Sequence, residues 1–334
     1  MDITTSEKKK NKSRFHYLIN KIEQSKISTK PFPHIWIEDF FANNDFQEII
    51  SAKENRLPEM QSDEELFDAL FDSGYQIINF PGCITNKKEY LSWHSGKRAA
   101  RNVHTACEGY GMTLRLTNPK SNILKEIKLF LESKEFNDVI GKKFGINVEA
   151  CNIECGIQKY LDGYEISPHP DTRGKALTFM TNINSHDDSC ELEHHTKYLK
   201  FKPEREYIKT FWSGNKHVDR HWVPWDWCEC VSTQTSNNSL VIFSPTDDTL
   251  HAIKASYDHL KGQRTQLYGN LWYKNIPKMK NIAWEDLDLM RHTKQKKPAR
   301  SLKGYVEQYL PSPLKSLLKN TFNKINSHVK RRDY

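Results

Sequence analysis

The run QKYLDGYEISPHPDTRGKALTFMTNIN, residues 158–184, decides how this chain folds and what it can bind. Within it, His169-Pro170-Asp171 ends an extended stretch. Side chains two apart on a strand project to one side, so an imidazole and a carboxylate there can grip one cation together. A further ligand must come from a distant strand. His251 qualifies: in SLVIFSPTDDTLHAIKA, residues 239–255, it follows an apolar strand and a polar turn and opens a new strand. Two imidazoles and one carboxylate on a single face leave coordination positions open to exogenous ligands. Arg264 comes thirteen residues after His251, at the head of the apolar strand TQLYGNLWY. A guanidinium inside β structure is costly unless paired, and a carboxylate is its natural bidentate partner.

Outward from these motifs, the texture from about residue 147 onward is one of short strands. They are VEACNIECGIQKY, EISPH, KALTFMTNI, EYIKTFW, SLVIFS, TLHAIKA and TQLYGNLWY, some separated by turns such as Asp162-Gly163. Many short strands without intervening helices specify a sandwich or barrel, not a parallel α/β sheet. The polar, aromatic stretch of about 185–237 reads as an insertion between core strands. Residues 31–146 read as an N-terminal strand and helices packed on that β core. KPFPHIWIEDFF suits an edge strand, 44–55 a short helix, and Ser62 with Glu65 a capping box. Residues 75–110 read as irregular. Ser121 is placed to cap a helix carrying Ile123, Leu124, Ile127, Phe130 and Leu131, and Gly145 to stop the helix that follows. Residues 1–30, polar and Lys-rich, read as a mobile arm, and 276–334 as a basic tail.

The segments 158–184, 239–255 and 262–273 resemble the prolyl-4-hydroxylase-like branch of the 2-oxoglutarate/Fe(II) oxygenase superfamily. That family's pattern is H-x-D, a long gap, a distal His, then Arg some 9–14 residues on; the likeness covers roughly residues 150–275. The resemblance implies a mainly β fold with flanking helices (α+β), namely a double-stranded β-helix or jelly-roll barrel. It also implies Fe(II) on His169, Asp171 and His251, with 2-oxoglutarate held by Arg264. By the same likeness Tyr160 and Asn182 would contact the co-substrate, and O2 and ascorbate would serve as oxidant and reductant. An Asp at position 171 favours hydroxylation over halogenation, because halogenases of the superfamily leave that position open for chloride. Two rivals remain open: a non-catalytic metal-binding jelly roll, and a zinc protein using the same triad, in which Arg264 has no task. A peptidyl, amino-acid or glycan substrate is compatible with these residues.

Other candidates compete. His217-Val218-Asp219 also fits H-x-D but lies only 34 residues before His251, too few for the intervening strands, whereas His169 lies 82 before it. His186, Cys190, His194 and His195 read as a solvated loop or a second metal site. Trp212, Trp222, Trp225 and Trp227 read as a stacking platform or as the anchor of a long loop. Arg173, Lys254 and Lys261 stand near the expected mouth.

Seven cysteines at unpaired spacings read as reduced thiols of a cytoplasmic protein. Residues 291–334 hold twelve Lys/Arg against Glu307 and Asp333, a net of +10, so of the chain's +8 the rest contributes −2. Leu314, Leu317, Leu318, Phe322 and Ile325 would share one helical face there. A basic amphipathic helix of that kind can lie on an anionic membrane, bind an acidic partner or dock on its own domain. A nucleic-acid partner is disfavoured: no recognition motif accompanies the charge, and Asn270 stands where the nucleic-acid-repair branch carries a second Arg.

Overall fold

The computed structural model of the chain describes residues 13–96 and 102–277. Eleven strands lie among them: β1 (His34–Ile37), β2 (Tyr75–Ile77), β3 (Thr113–Leu116), β4 (Cys151–Tyr160), β5 (Glu165–His169), β6 (Lys175–Asn182), β7 (Lys197–Phe201), β8 (Cys228–Thr233), β9 (Leu240–Phe243), β10 (His251–Lys254) and β11 (Arg264–Tyr273). They form a seven-stranded sheet of order β1-β9-β6-β11-β4-β3-β2 and a four-stranded sheet of order β5-β10-β7-β8. All pairings are antiparallel. From β4 onward the chain crosses repeatedly between the two sheets, which is the winding of a double-stranded β-helix, as the jelly-roll expectation requires.

Seven helices accompany the strands: α1 (Tyr17–Gln24), α2 (Asn43–Ser51), α3 (Asp63–Asp72), α4 (Lys87–Ser95), α5 (Asn122–Glu132), α6 (Lys134–Phe144) and α7 (Tyr207–Gly214). The large sheet is buried on both faces, which explains why β11 is buried without alternation from Arg264 to Leu271. Ile157, Leu177, Phe179, Leu267 and Leu271 pack in one core with Ile127, Phe130, Phe136 and Ile140 of α5 and α6. Gly269 makes this possible, because a Cβ there would sit 2.0 Å from the Phe179 ring. The other face of β11 lines the interior cavity.

Several local expectations need correction. The arm is not free from residue 14 on: a 3-10 turn (Arg14–His16) and α1 bury Phe15, Leu18 and Ile22 completely. Each such burial stabilises by about 1.5–3 kcal/mol, enough to outweigh local polarity. Residues 1–12 and the basic tail beyond residue 277, on which the expected amphipathic helix falls, lie outside the described residues. The stretch 75–110 contains β2 and α4. The supposed insertion contributes β7 and β8 to the small sheet, and EYIKTFW, read as a strand, forms α7 instead. Its Ile208 and Trp212 face Leu199, Phe201 and Leu250 in a satellite core. Ser121 precedes α5 but does not cap it with its side chain; its hydroxyl donates to Glu54, whose other oxygen takes the amides of Lys120 and Ser121 at 2.5 and 2.7 Å. Gly145 ends α6 in the left-handed region, φ 67°, as expected.

Candidate metal and anion site

β5 and β10 are neighbours in the small sheet, and their register sets His169 directly opposite His251. Pairing across strands thus closes an 82-residue gap in sequence. Asp171, two residues past His169, brings its Oδ1 to 3.8 Å from His169 Nε2 and 4.0 Å from His251 Nε2. The other ring nitrogens are committed: His169 Nδ1 to the Ser167 carbonyl at 2.9 Å and His251 Nδ1 to the Thr249 carbonyl at 3.0 Å. A carbonyl accepts only, so each Nδ1 carries the proton and each Nε2 presents a lone pair toward Asp171. Burial and the neighbouring His251 push the His169 imidazole down to about 3, and burial lowers His251 as well. Burial alone would raise the Asp171 carboxyl, but the Lys175 ammonium beside it holds it well below the usual carboxylate range. The three side chains are therefore two neutral imidazoles and a carboxylate whose donor atoms all lie within 4.8 Å of one another, a spacing that small side-chain shifts would close around one ion. Lys175 donates to Asp171 Oδ1 at 2.7 Å and Thr178 to Oδ2 at 2.6 Å, fixing the carboxylate at both oxygens.

The same cavity, about 510 Å³, ends at Arg264. This side chain is only 2% exposed. It bonds Thr196 Oγ1 at 2.9 Å, its Nε has no partner, and its guanidinium carbon lies 4.3 Å from the Tyr160 ring centroid. No carboxylate pairs with it among the described residues. Burial lowers its pKa, opposed by the surrounding tyrosines Tyr160, Tyr164, Tyr257 and Tyr198. A buried guanidinium facing rings and a hydroxyl is an incomplete ion pair, and an anionic ligand would complete it.

Tyr160 and Arg264 are register partners on β4 and β11, and both line the cavity. Asn182 occupies the expected strand, but its amide donates to the carbonyls of Gln234 and Ser236 at 2.9 and 3.1 Å, and its oxygen accepts from Gln266 at 2.8 Å. The cavity-facing amide is that of Gln266.

Asp219 accepts from the backbone amides of Arg173 and Arg220 at 2.9 and 2.8 Å, bracing the chain beyond Asp171 and not ligating with His217. Arg173 is buried on the carbonyls of Val218 and Trp212, so it is not a solvated cation at the mouth. Lys254 and Lys261 are exposed. The solvated-loop reading of residues 186–195 is overturned at His194 and His195, which are 0% and 6% exposed. Neither joins a metal-ligand cluster among the described residues. The tryptophans divide: Trp212, Trp225 and Trp227 pack in the satellite core, while Trp222 lines the cavity with its ring 5.8 Å from that of His169.

A second His–Asp group, Asp63, His94 and His259, went unnoticed in the sequence because its members come from α3, α4 and the β10–β11 loop. The roles of Lys175 and Thr178 also escaped. The only trace of them in the sequence is their position in the strand after H-x-D.

No family model and no curated protein matches the chain. Among solved structures it is similar to a prolyl hydroxylase from Trichoplax adhaerens in complex with an oxygen degradation domain peptide of hypoxia inducible factor, at 12% identity and TM-score 0.39 over 78% of this chain and 89% of that one. It is also similar to a Pseudomonas putida prolyl-4-hydroxylase, at 10% identity and TM-score 0.38 over 78% of this chain and 99% of that one. A 2OG-Fe(II) oxygenase family protein from Burkholderia pseudomallei aligns over 48% of this chain and 61% of its own, at 13% identity and TM-score 0.29.

Proposed function

We propose that the chain is an Fe(II)- and 2-oxoglutarate-dependent dioxygenase that hydroxylates an unactivated C–H bond. The observation that carries this is Arg264: a fully buried guanidinium with no acid opposite it, in the cavity that holds two neutral imidazoles and a carboxylate. A zinc hydrolase or an inert jelly roll leaves that cation unexplained.

His169, His251 and Asp171 would hold the iron, and their open side faces the cavity. When bound, Fe(II) with O2 and the keto acid supplies the oxidising power for C–H hydroxylation, with succinate and CO2 as co-products. Arg264 takes the far carboxylate of the keto acid, and Tyr160 and Thr196 keep the guanidinium from rotating. Such orientation by a preorganised fork lowers the barrier by fixing the reactants in place. Lys175 and Thr178 keep Asp171 in one rotamer. Ile166 and Ile253 in the wall limit water near the reacting carbon.

The test is succinate release from 2-oxoglutarate under Fe(II), O2 and ascorbate, with and without candidate substrates. Slow release in the wild type that disappears in Asp171→Ala supports the reading. Equal release by both proteins, or none together with no keto-acid binding, refutes it.

A further inference from the structure

Beyond the metal and keto-acid positions, the cavity wall carries charges that the proposed chemistry leaves unused. Arg115 of β3 donates to Glu154 Oε1 at 2.9 Å and to Gln158 Oε1 at 3.3 Å. The other Glu154 oxygen accepts from Trp272 Nε1 at 2.7 Å. Lys175 lies over that same indole, its Nζ 5.3 Å from the ring centroid, and spends one of its three N–H groups on Asp171. One tryptophan thus carries a carboxylate at its N–H and an ammonium over its ring. Asn270 Nδ2 also donates, at 3.4 Å, to the Glu154 oxygen that Trp272 holds, so Lys175 keeps two donors to offer and Glu154 Oε1 retains a lone pair.

Charge narrows what can fill this space. Among the described residues, the cations lining the cavity, Arg115, Lys175 and Arg264, are matched by the carboxylates Glu108, Glu154 and Asp171. A divalent ion and a doubly negative keto acid cancel as well. A ligand of net charge would enter uncompensated, at the cost of an unpaired buried ion. A ligand with no charges would leave Lys175 and Glu154 with neutral partners, whose hydrogen bonds are roughly half as strong as charge-assisted ones. A zwitterion meets both conditions.

We propose, resting on the oxygenase reading, that the substrate is a small zwitterion of amino-acid type, bound over Trp272 with its carboxylate on Lys175 and its ammonium on Glu154. The balance is that of a monohydroxylation. One atom of O2 enters the broken C–H bond as hydroxyl and the other enters succinate. The keto acid and the substrate each give up two electrons, and CO2 leaves.

The experiment uses the full chain loaded with Mn(II) in place of iron. Calorimetry first measures 2-oxoglutarate binding, which tests the underlying reading alone. Tryptophan fluorescence is then followed on adding pools of proteinogenic L-amino acids, the same amino acids N-acetylated and amidated, or neutral sugars. A saturable change with free amino acids only is expected, weakened tenfold or more in Glu154→Gln and Lys175→Met. With Fe(II), the same pool should raise succinate release at least tenfold. If keto acid binds but free amino acids neither bind nor stimulate, the zwitterion assignment falls while the oxygenase reading stands. Equal response to the blocked amino acids or to sugars overturns it too. If Lys175→Met loses metal, Glu154→Gln alone decides, and unchanged amino-acid affinity there also refutes the assignment.

Discussion

Two clusters among the described residues contain the same residue types, two histidines and an aspartate, yet they are poised differently toward an ion. At His169, Asp171 and His251 the facing atoms stand 3.8 and 4.0 Å apart, and backbone carbonyls claim both Nδ1 protons. At Asp63, His94 and His259 each carboxylate oxygen already bonds one imidazole at 2.6 Å. The amide of Asp162 donates to His259 Nδ1 at 2.9 Å, so the proton of that ring sits on Nε2 and points at Asp63. Asp162 also takes His94 Nε2 at 3.0 Å. The first cluster offers lone pairs across a gap, whereas the second is closed by its own hydrogen bonds. What the far nitrogen of each ring is bonded to decides whether a His–Asp group is open to an ion or closed as a structural clasp.

The comparison breaks most sharply on metal affinity. Replacing His169, Asp171 or His251 with Ala should abolish tight Fe(II) or Mn(II) binding and all succinate release. Replacing His259 or His217 with Ala should leave metal affinity unaltered. Metal titration of the five variants reads this directly, and loss of metal in His259→Ala would make the second cluster a site after all.

Arg264→Leu should weaken 2-oxoglutarate about 30-fold or more, since truncating one side of a buried charge pair costs about 2–5 kcal/mol and about 1.4 kcal/mol is tenfold. Metal affinity should stay put. Keto-acid calorimetry separates the two, and an unchanged affinity would assign the clamp to another cation.

Thr178→Val removes the hydroxyl that anchors Asp171 Oδ2 while keeping the side chain's shape. Loss of such an outer hydrogen bond should cost about tenfold in metal affinity. A metal isotherm indistinguishable from wild type would show that Lys175 alone suffices to hold the carboxylate.

The smallest effect belongs to the clasp and appears as stability. Burial raises the Asp63 carboxyl, but hydrogen bonds from His259 and His94 outweigh it and hold the group well below the usual range. A carboxyl depressed in the folded state stabilises fully above its unfolded value, near pH 4, and loses that stabilisation as pH falls toward the folded value. Asp63→Asn should therefore lower the melting temperature at pH 7 by a few degrees, consistent with about 1.5–3 kcal/mol for charged hydrogen bonds. The gap from wild type should narrow below pH 4. A gap independent of pH would assign the loss to packing instead.

Much of the site was legible because its logic is local. The i, i+2 spacing of His169 and Asp171 on an extended segment, and the strand–turn–strand around His251, put three ligands on one face before any fold was known. The need of Arg264 for an anion follows from charge alone. The edge position of His34–Ile37 and the stop at Gly145 were likewise written in proline, alternation and glycine.

What only the tertiary structure decided is where side chains point once strands pair and helices cover them. A register shift between β6 and β11 sets Lys175 opposite Trp272 and turns it into the cavity, against the alternation of its own strand. Lys159, polar in any sequence reading, is 0% exposed. Its Nζ bonds the Asn55 carbonyl and Thr265 Oγ1 at 2.8 and 2.9 Å, and burial pushes it down to about 7. Residues 14–24 are polar enough to float free, yet they fold because Phe15, Leu18 and Ile22 join a core shared with Phe41 and with residues of α2, α5 and α6. Local periodicity sets which side chains share a face. Cross-strand register, bulges and the packing of distant helices set what that face meets, and those contacts span residues too far apart in sequence for any local pattern to encode.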